Sequence, residues 1–210
     1  MSDDAPLIQV IEDDASVRQA VTRLLHAAGF EVAAYDSAGE FMLLGNLDRP
    51  GCIVLDVGLP GMNGMEFHAA LSKEHDPSIV FVTGRGDIAM GVRAMKQGAV
   101  DFLCKPFRRE ELLRAVRRAL ARDAERRTRR TRLAQLDACY HALSAREREV
   151  FELVVEGKLN KQVADTIGAS LRTVKSHRAR VMDKMHARSM VDLVRAADEL
   201  KARRQLAGPD

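Results

Sequence analysis

The sequence predicts an α/β domain built on a doubly wound, five-stranded parallel sheet, followed by a helical linker and an all-α domain. Three observations carry that prediction. The first half alternates five short apolar runs with segments of helical periodicity. Those runs are nearly continuous in apolarity, as strands covered on both faces of a parallel sheet must be. The last ~65 residues contain no strand pattern, only segments with helix-start and helix-stop signals.

In chain order, Leu7–Ile11, Glu31–Tyr35, Cys52–Leu55, Ile79–Val82 and Phe102–Cys104 read as the strands. Between the first two, Val17, Ala20, Val21, Leu24, Leu25 and Ala28 fall at helical spacing, and Gly29 stands where a left-handed residue ends a helix. Ser37 with Glu40 forms a capping-box pattern ahead of Phe41–Leu44. Asp87 occupies an N-cap position before Ile88–Gln97, which Gly98 closes. Phe107, Leu112, Leu113, Val116 and Leu120 share one face, so the last helix of the first domain starts near Arg108. From Ala121 to Arg132 only alanines are apolar, and the i,i+4 pairs Asp123/Arg127 and Glu125/Arg129 support an exposed helical linker. Leu133, Leu136, Tyr140 and Leu143 restore a near-heptad seam, too short to establish a dimerising coiled coil.

Beyond the seam, Ser144 with Glu147 caps a helix that Gly157 ends. Asn160 is expected to cap a short second helix through Val163, Ala164 and Ile167, and Gly168-Ala169 turns the chain. Ser170 caps a third helix running through Met185, and Ser189 opens a fourth. The expected boundaries are 1–121, 122–141 and 142–210.

Composition narrows the class. The 210 residues are 46% hydrophobic and 30% charged, as an ordinary globular chain is. No run approaches the ~18–20 apolar residues of a membrane span. The opening Met1-Ser2-Asp3-Asp4 is acidic where a secretory signal is basic, so the expected location is cytoplasmic. The net charge of +3 hides a split: residues 1–106 carry −7 and residues 107–210 carry +10. A polyanion is the natural partner of the basic half, against the alternative of merely solvated helices. Cys52, Cys104 and Cys139 form no metal-ligand cluster. Cys52 and Cys104 lie in apolar runs and are expected to be buried.

Ligands of such sheets sit outside the carboxyl ends of the strands. There the sequence sets Glu12, Asp13 and Asp14 after the first strand, Asp56 after the third, Thr83 after the fourth and Lys105 after the fifth. Clustered carboxylates repel unless a cation joins them, and Mg²⁺ favours one or two carboxylates plus a phosphoryl oxygen. A hydroxyl and an ammonium donate to phosphoryl oxygens. Asp56 is the candidate nucleophile, because a carboxylate can attack phosphorus. Asp14 reads as a helix-start charge.

Glu12-Asp13, Val54-Leu55-Asp56-Val57-Gly58-Leu59-Pro60-Gly61-Met62-Asn63-Gly64, Val82-Thr83-Gly84 and Asp101-Phe102-Leu103-Cys104-Lys105-Pro106-Phe107 resemble a response-regulator receiver domain, flavodoxin-like in fold, over residues ~5–121. The resemblance implies that Asp56 accepts phosphate from a sensor histidine kinase. It also implies that Asp13 holds Mg²⁺ directly and Glu12 through water, with Asp56 and the Gly58 carbonyl as further ligands. Lys105 would bind the phosphoryl group, with a cis bond to Pro106. Thr83 and Phe102 would form a switch pair that repacks the dimerisation surface, although Phe102 by type alone reads equally as a core aromatic. Gly58 and Arg85 hold positions that tune dephosphorylation.

Residues 158–188 carry +6, a density the phosphate backbone rewards. On the third C-terminal helix, Val174, Val181 and Met185 point inward, while Thr173, Lys175, Ser176, Ala179 and Arg180 span the outer face. Lys175, Ser176 and Ala179 are expected at base edges, Lys161 and Thr173 at phosphates. Aromatic platforms for single strands are few: Phe107, Tyr140 and Phe151 are all that residues 107–210 offer. Leu143-Ser144-Ala145-Arg146-Glu147-Arg148-Glu149-Val150, Gly157, Asn160-Lys161, Ala164 and Thr173-Val174-Lys175-Ser176-His177 resemble a LuxR-type helix-turn-helix domain of FixJ- and NarL-type regulators. In that family Glu147 is a structural brace, and His177 reads as a packed ring in preference to a phosphate contact.

The whole then reads as a two-component transcription factor, not an enzyme. Its expected partners are a sensor histidine kinase, double-stranded promoter DNA, a second copy on phosphorylation, and RNA polymerase, with no membrane. Two rivals are a receiver that binds partners without phosphorylation and a phosphatase using the carboxylate rim.

Overall fold

A computed structural model describes residues 5–72, 75–84 and 88–207, with side chains through Arg203. The chain divides into two compact units, Met1–Arg127 and Thr128–Asp210.

In the first unit the strands are β1 (Leu7–Ile11), β2 (Glu31–Tyr35), β3 (Gly51–Asp56), β4 (Ile79–Thr83) and β5 (Asp101–Cys104). They pair in parallel in the order β2-β1-β3-β4-β5. Period-two alternation sends successive residues to opposite faces. Ile53, Leu55, Ile79 and Phe81 thus pack with Phe41, Phe67 and Leu71 on one side. Cys52, Val54, Val80 and Val82 pack with Val21, Leu25, Leu112 and Val116 on the other. Helices α1 (Ala15–Ala27), α2 (Ala38–Leu44), α3 (Gly64–Leu71), α4 (Ile88–Lys96) and α5 (Arg109–His141) make the cover.

Local signals explain most ends. Asp14 caps α1 by accepting from the Ser16 and Val17 amides and the Ser16 hydroxyl, which holds its carboxyl below the usual range. Gly29 follows with φ +87°. Ser37 caps α2, and the Glu40 carboxylate reaches back to the Asp36 amide. The expected Asp87 cap and Arg85 lie outside the described residues. Helix α3 is absent from the sequence expectation because its short apolar face hides in an apolar stretch; Asn63, which caps it, was the available signal. Its first residue, Gly64, lies so close to β3 that a Cβ there would meet the Asp56 carbonyl oxygen at 2.3 Å.

Two expectations fail in the first unit. Cys52 is buried, its thiol pushed up to about 12 by burial and by the charge of Asp123, but Cys104 is exposed because β5 is the sheet's edge and Cys104 its last residue. The helix is not solvent-exposed at Asp123, which is 2% exposed. Its carboxylate accepts from the Gly51 amide at 3.0 Å, from Arg127 Nε at 2.7 Å and from Arg126. Arg127 also donates to the carbonyls of Leu47, Asp48 and Arg49. Of the seam residues, Leu143 is buried in the core of the second unit, and Leu136 and Tyr140 pack against that core.

The second unit continues with α6 (Ala145–Val155), α7 (Asn160–Ile167), α8 (Leu171–Lys184) and α9 (Met190–Ala207) around Val150, Phe151, Val163, Val174, Val181 and Leu193. Ser144/Glu147 and Ser189/Asp192 form reciprocal capping bonds, and Ser170 caps α8. Asn160 does not cap α7: the cap position is Leu159, whose amide donates to Gln162 at 2.8 Å. Gly168 makes the turn with φ +64°. No helix among the described residues is long and apolar enough to cross a membrane.

Glu147 is 3% exposed and accepts from Lys184 Nζ at 2.7 Å and from the Ser144 amide at 2.9 Å, which hold its carboxyl at about 2. A carboxyl depressed from 4.5 to about 2 contributes stability that is complete above pH 4.5 and lost as pH falls toward 2. Because the Lys184 side chain is 38% exposed, solvent screening reduces the contribution to roughly 1–2 kcal/mol. Glu147→Gln should therefore destabilise the second unit by that amount near neutrality, with the gap closing in acid. Urea unfolding followed at α6 and α8 amide resonances checks it; a pH-independent gap would refute the ion-pair account.

Candidate functional site

The carboxyl ends of β1, β3, β4 and β5 form one rim, because all strands run the same way. Glu12 and Asp13 follow β1, Asp56 ends β3, Thr83 ends β4 and Lys105 follows β5. Single carboxylate oxygens of Glu12, Asp13 and Asp56 lie within 4.8 Å of one another, with Glu12 and Asp56 buried and Asp13 exposed. Lys105 Nζ bridges two of them, at 2.5 Å to Glu12 Oε2 and 2.8 Å to Asp56 Oδ1. The other Asp56 oxygen accepts from the Gly58 amide at 2.6 Å. Asp56 is thereby held on both oxygens, oriented before any reactant arrives.

The electrostatics follow from this packing. Burial raises the Glu12 carboxyl above 4.5, with the Asp56 charge adding to it and the Lys105 contact opposing it. Burial would pull the Lys105 ammonium down, but hydrogen bonds and charges of Asp56 and Glu12 outweigh it and keep its pKa raised. The Lys105–Pro106 peptide is cis. The donor set, three carboxylates on a polar rim, suits a hard divalent cation such as Mg²⁺. Gly58 lies at the rim by its amide contact with Asp56.

Arg18 is a site residue that sequence reasoning missed. Its Nη1 donates to the carbonyls of Glu12 at 2.6 Å and Asp13 at 3.1 Å, clamping the backbone that presents both acids. A cation in the first turns of a helix opposes the helix dipole, and that misfit was the readable signal.

Thr83 is buried, and its carbonyl accepts from the Lys105 amide at 2.7 Å. Phe102 is half-buried against the first core, its ring 3.4 Å from where a Cβ on Gly91 would stand. Around it Ile88, Val92 and Met95 are exposed apolar side chains on α4, lining a shallow recess with Lys96 and Asp101.

In the second unit, Lys161, Thr173, Lys175, Ser176, Ala179 and Arg180 are all exposed, while Val174, Val181 and Met185 are buried. The Thr173 hydroxyl lies 2.8 Å from that of Ser170. His177 is half-buried with its Nδ1 enclosed. Arg178, also half-buried, donates from Nη1 to Asn160 Oδ1 at 2.9 Å.

Two family models match the chain, one for the response regulator receiver domain over residues 8–117 and one for bacterial regulatory proteins of the luxR family over residues 141–197. Nodulation protein W of Bradyrhizobium diazoefficiens is 47% identical over 196 residues, 92% of this chain and 86% of that protein. Transcriptional regulatory protein FixJ of Azorhizobium caulinodans is 42% identical over 192 residues, 90% of each. The solved structure of response regulator StyR matches with a TM-score of 0.81 at 41% identity, covering 93% of this chain and 99% of that one.

Because Glu12 titrates above 4.5, a divalent cation binding at the rim competes with a proton there. Mg²⁺ affinity should rise with pH from the ordinary carboxylate range upward, with protons released on binding wherever Glu12 is still partly protonated. Calorimetry in two buffers of different ionisation enthalpy measures that release; equal heats in both would count against the raised carboxyl.

Proposed function

This chain belongs to the response regulators that join a receiver domain to a luxR-family DNA-binding domain, and from that membership we propose how its own residues carry the signal. It is a transcriptional response regulator of a two-component system, and its relatives are regulators of the same construction. We assign the phosphoacceptor role to Asp56. A carboxylate oxygen of Asp56 attacks the phosphorus of a phosphohistidine on a sensor kinase; the P–O bond forms, the P–N bond breaks, and the imidazole keeps the electron pair and takes up a proton. The observation that carries this reading is the double anchoring of Asp56 by Lys105 and the Gly58 amide, beside two further carboxylates.

Glu12, Asp13, Asp56 and the Gly58 carbonyl would hold Mg²⁺, which supplies charge compensation for the phosphoryl oxygens. Lys105 orients and neutralises the transferred group from the other side. Thr83 and Phe102 act as the switch, and the exposed apolar residues Ile88, Val92 and Met95 beside Phe102 support phosphorylation-dependent dimerisation at α4 and β5. Chemistry ends with acceptance and slow hydrolysis of one phosphoryl group, so the protein works as a cytoplasmic switch rather than a turnover enzyme.

The outer face of α8 reads promoter DNA. Lys175, Ser176 and Ala179 meet base edges, Lys161 and Thr173 meet phosphates, and Arg180 extends the cationic face. Dimerisation sets two such helices about one turn of DNA apart, where RNA polymerase is a further partner.

Two measurements test the reading. Asp56→Asn should abolish labelling by acetyl phosphate in the presence of Mg²⁺, and a persisting acid-labile adduct would remove the assignment. Lys175→Ala should weaken binding to a selected duplex by about 1–3 kcal/mol, with a smaller effect on random DNA. Equal losses on both would move Lys175 to the phosphate-contacting class.

A further inference from the structure

Two residues of the second unit are committed to each other against their usual roles. An asparagine at a helix start ordinarily caps it, and an arginine on a basic recognition helix ordinarily meets a phosphate or a base. Here the Asn160 side chain takes no part in capping α7, and its Oδ1 accepts from Arg178 Nη1 on α8 at 2.9 Å. Arg178 is half-buried by this contact, while Lys175 and Arg180 on the same helix stand open to solvent.

We infer that Arg178 is a positioning residue for DNA recognition, which fixes α7 against α8 through Asn160 and does not itself read a base or neutralise a phosphate. The inference rests on the reading above, in which Lys161 of α7 meets the backbone while Lys175 and Ser176 of α8 meet base edges. Those groups sit on different helices. A duplex presents its phosphates and groove edges at a fixed spacing, so both sets engage together only if the helices keep their relative placement within a fraction of an ångström. Val163, Ala164 and Val174 share the apolar core between the two helices, and apolar contacts are non-directional. The Arg178–Asn160 bond is directional, and it lies at the end of α7 that carries Lys161. It removes the rotation and slip that packing alone leaves open. A fixed Arg178 also keeps one cation off the groove, so the cationic face of α8 is narrower than its sequence suggests.

The test uses the full-length chain and a 30-base-pair duplex, of about the length of two half-sites, recovered from a random pool with the wild-type protein, beside a scrambled duplex. Arg178→Ala, Asn160→Ala, the double variant and Arg178→Lys are titrated over a salt series, with Lys161→Ala in parallel. Each single alanine variant should weaken the selected duplex about 5- to 10-fold. The double variant should lose no more than the stronger single one, and Arg178→Lys, whose ammonium can still donate to Asn160, should recover most of the affinity. The slope of log K against log salt should stay at the wild-type value for Arg178→Ala and Asn160→Ala. For Lys161→Ala it should fall by about one. A slope reduced by about one in Arg178→Ala alone would make Arg178 a phosphate contact and overturn the inference. So would additive losses, no rescue by lysine, or loss of amide protection throughout α8 in Asn160→Ala. An unchanged slope in Lys161→Ala, with Arg178 and Asn160 still coupled, would instead refute the assignment of Lys161 and leave the positioning role standing.

Discussion

One ammonium group makes the acidic rim tenable. Glu12 and Asp56 are buried, and a third carboxylate, Asp13, lies within 4.8 Å. Like charges that close raise each other's cost of ionisation and strain whatever holds them together. Lys105 answers this by touching both buried acids at once, and it arrives from 93 residues beyond Glu12 and 49 beyond Asp56. That pairing demands the observed strand order: β1 and β3 side by side present the acids, and β5, beyond β4, returns the cation to the same end. The two apolar layers enforce the order, and the rim exploits it.

The second unit solves a similar problem for structure rather than chemistry. Glu147 is buried at the start of α6, where the Ser144 amide and Lys184 of α8 satisfy it. The opposite signs of the two halves therefore do not imply unpaired charge inside either one. In each, buried ions meet a partner, and the surplus lies on the surface, negative in the first half and positive in the second.

The strands were legible because continuous apolar runs bounded by turn residues leave little choice, and β1 and β2 match the expected ends residue for residue. The rim was legible because parallel strands deliver their following residues to one edge, so Glu12, Asp56 and Lys105 could be grouped without knowing any distance. What sequence did not show depends on partners far along the chain. Asp123 has the neighbours of a solvated helix residue, yet the Gly51 amide lies 72 positions away and draws it inward. Cys104 sits in an apolar run, but whether that run is central or at an edge is settled only by the pairing of whole strands. Asn160 carries a strong capping signal that a residue 18 positions later redirects. Arg18 differs: its misfit with the helix dipole was readable, but its partners, the Glu12 and Asp13 carbonyls, were not.

The knot at Asp123 bears on where this protein can be divided. Arg126 and Arg127 belong to helix turns that follow the last apolar contacts of α5, and by residue type they look dispensable to the sheet. Yet Arg127 takes up the carbonyls of Leu47, Asp48 and Arg49, Arg126 that of His75, and Asp123 the amide that opens β3. A fragment ended at residue 121 would strip five backbone groups of their partners at the foot of the central strand, while leaving the hydrophobic layers whole. The compact first unit thus extends about two helical turns past the point where its oily face stops, and a surgeon's cut through this chain belongs after the arginines, not before them.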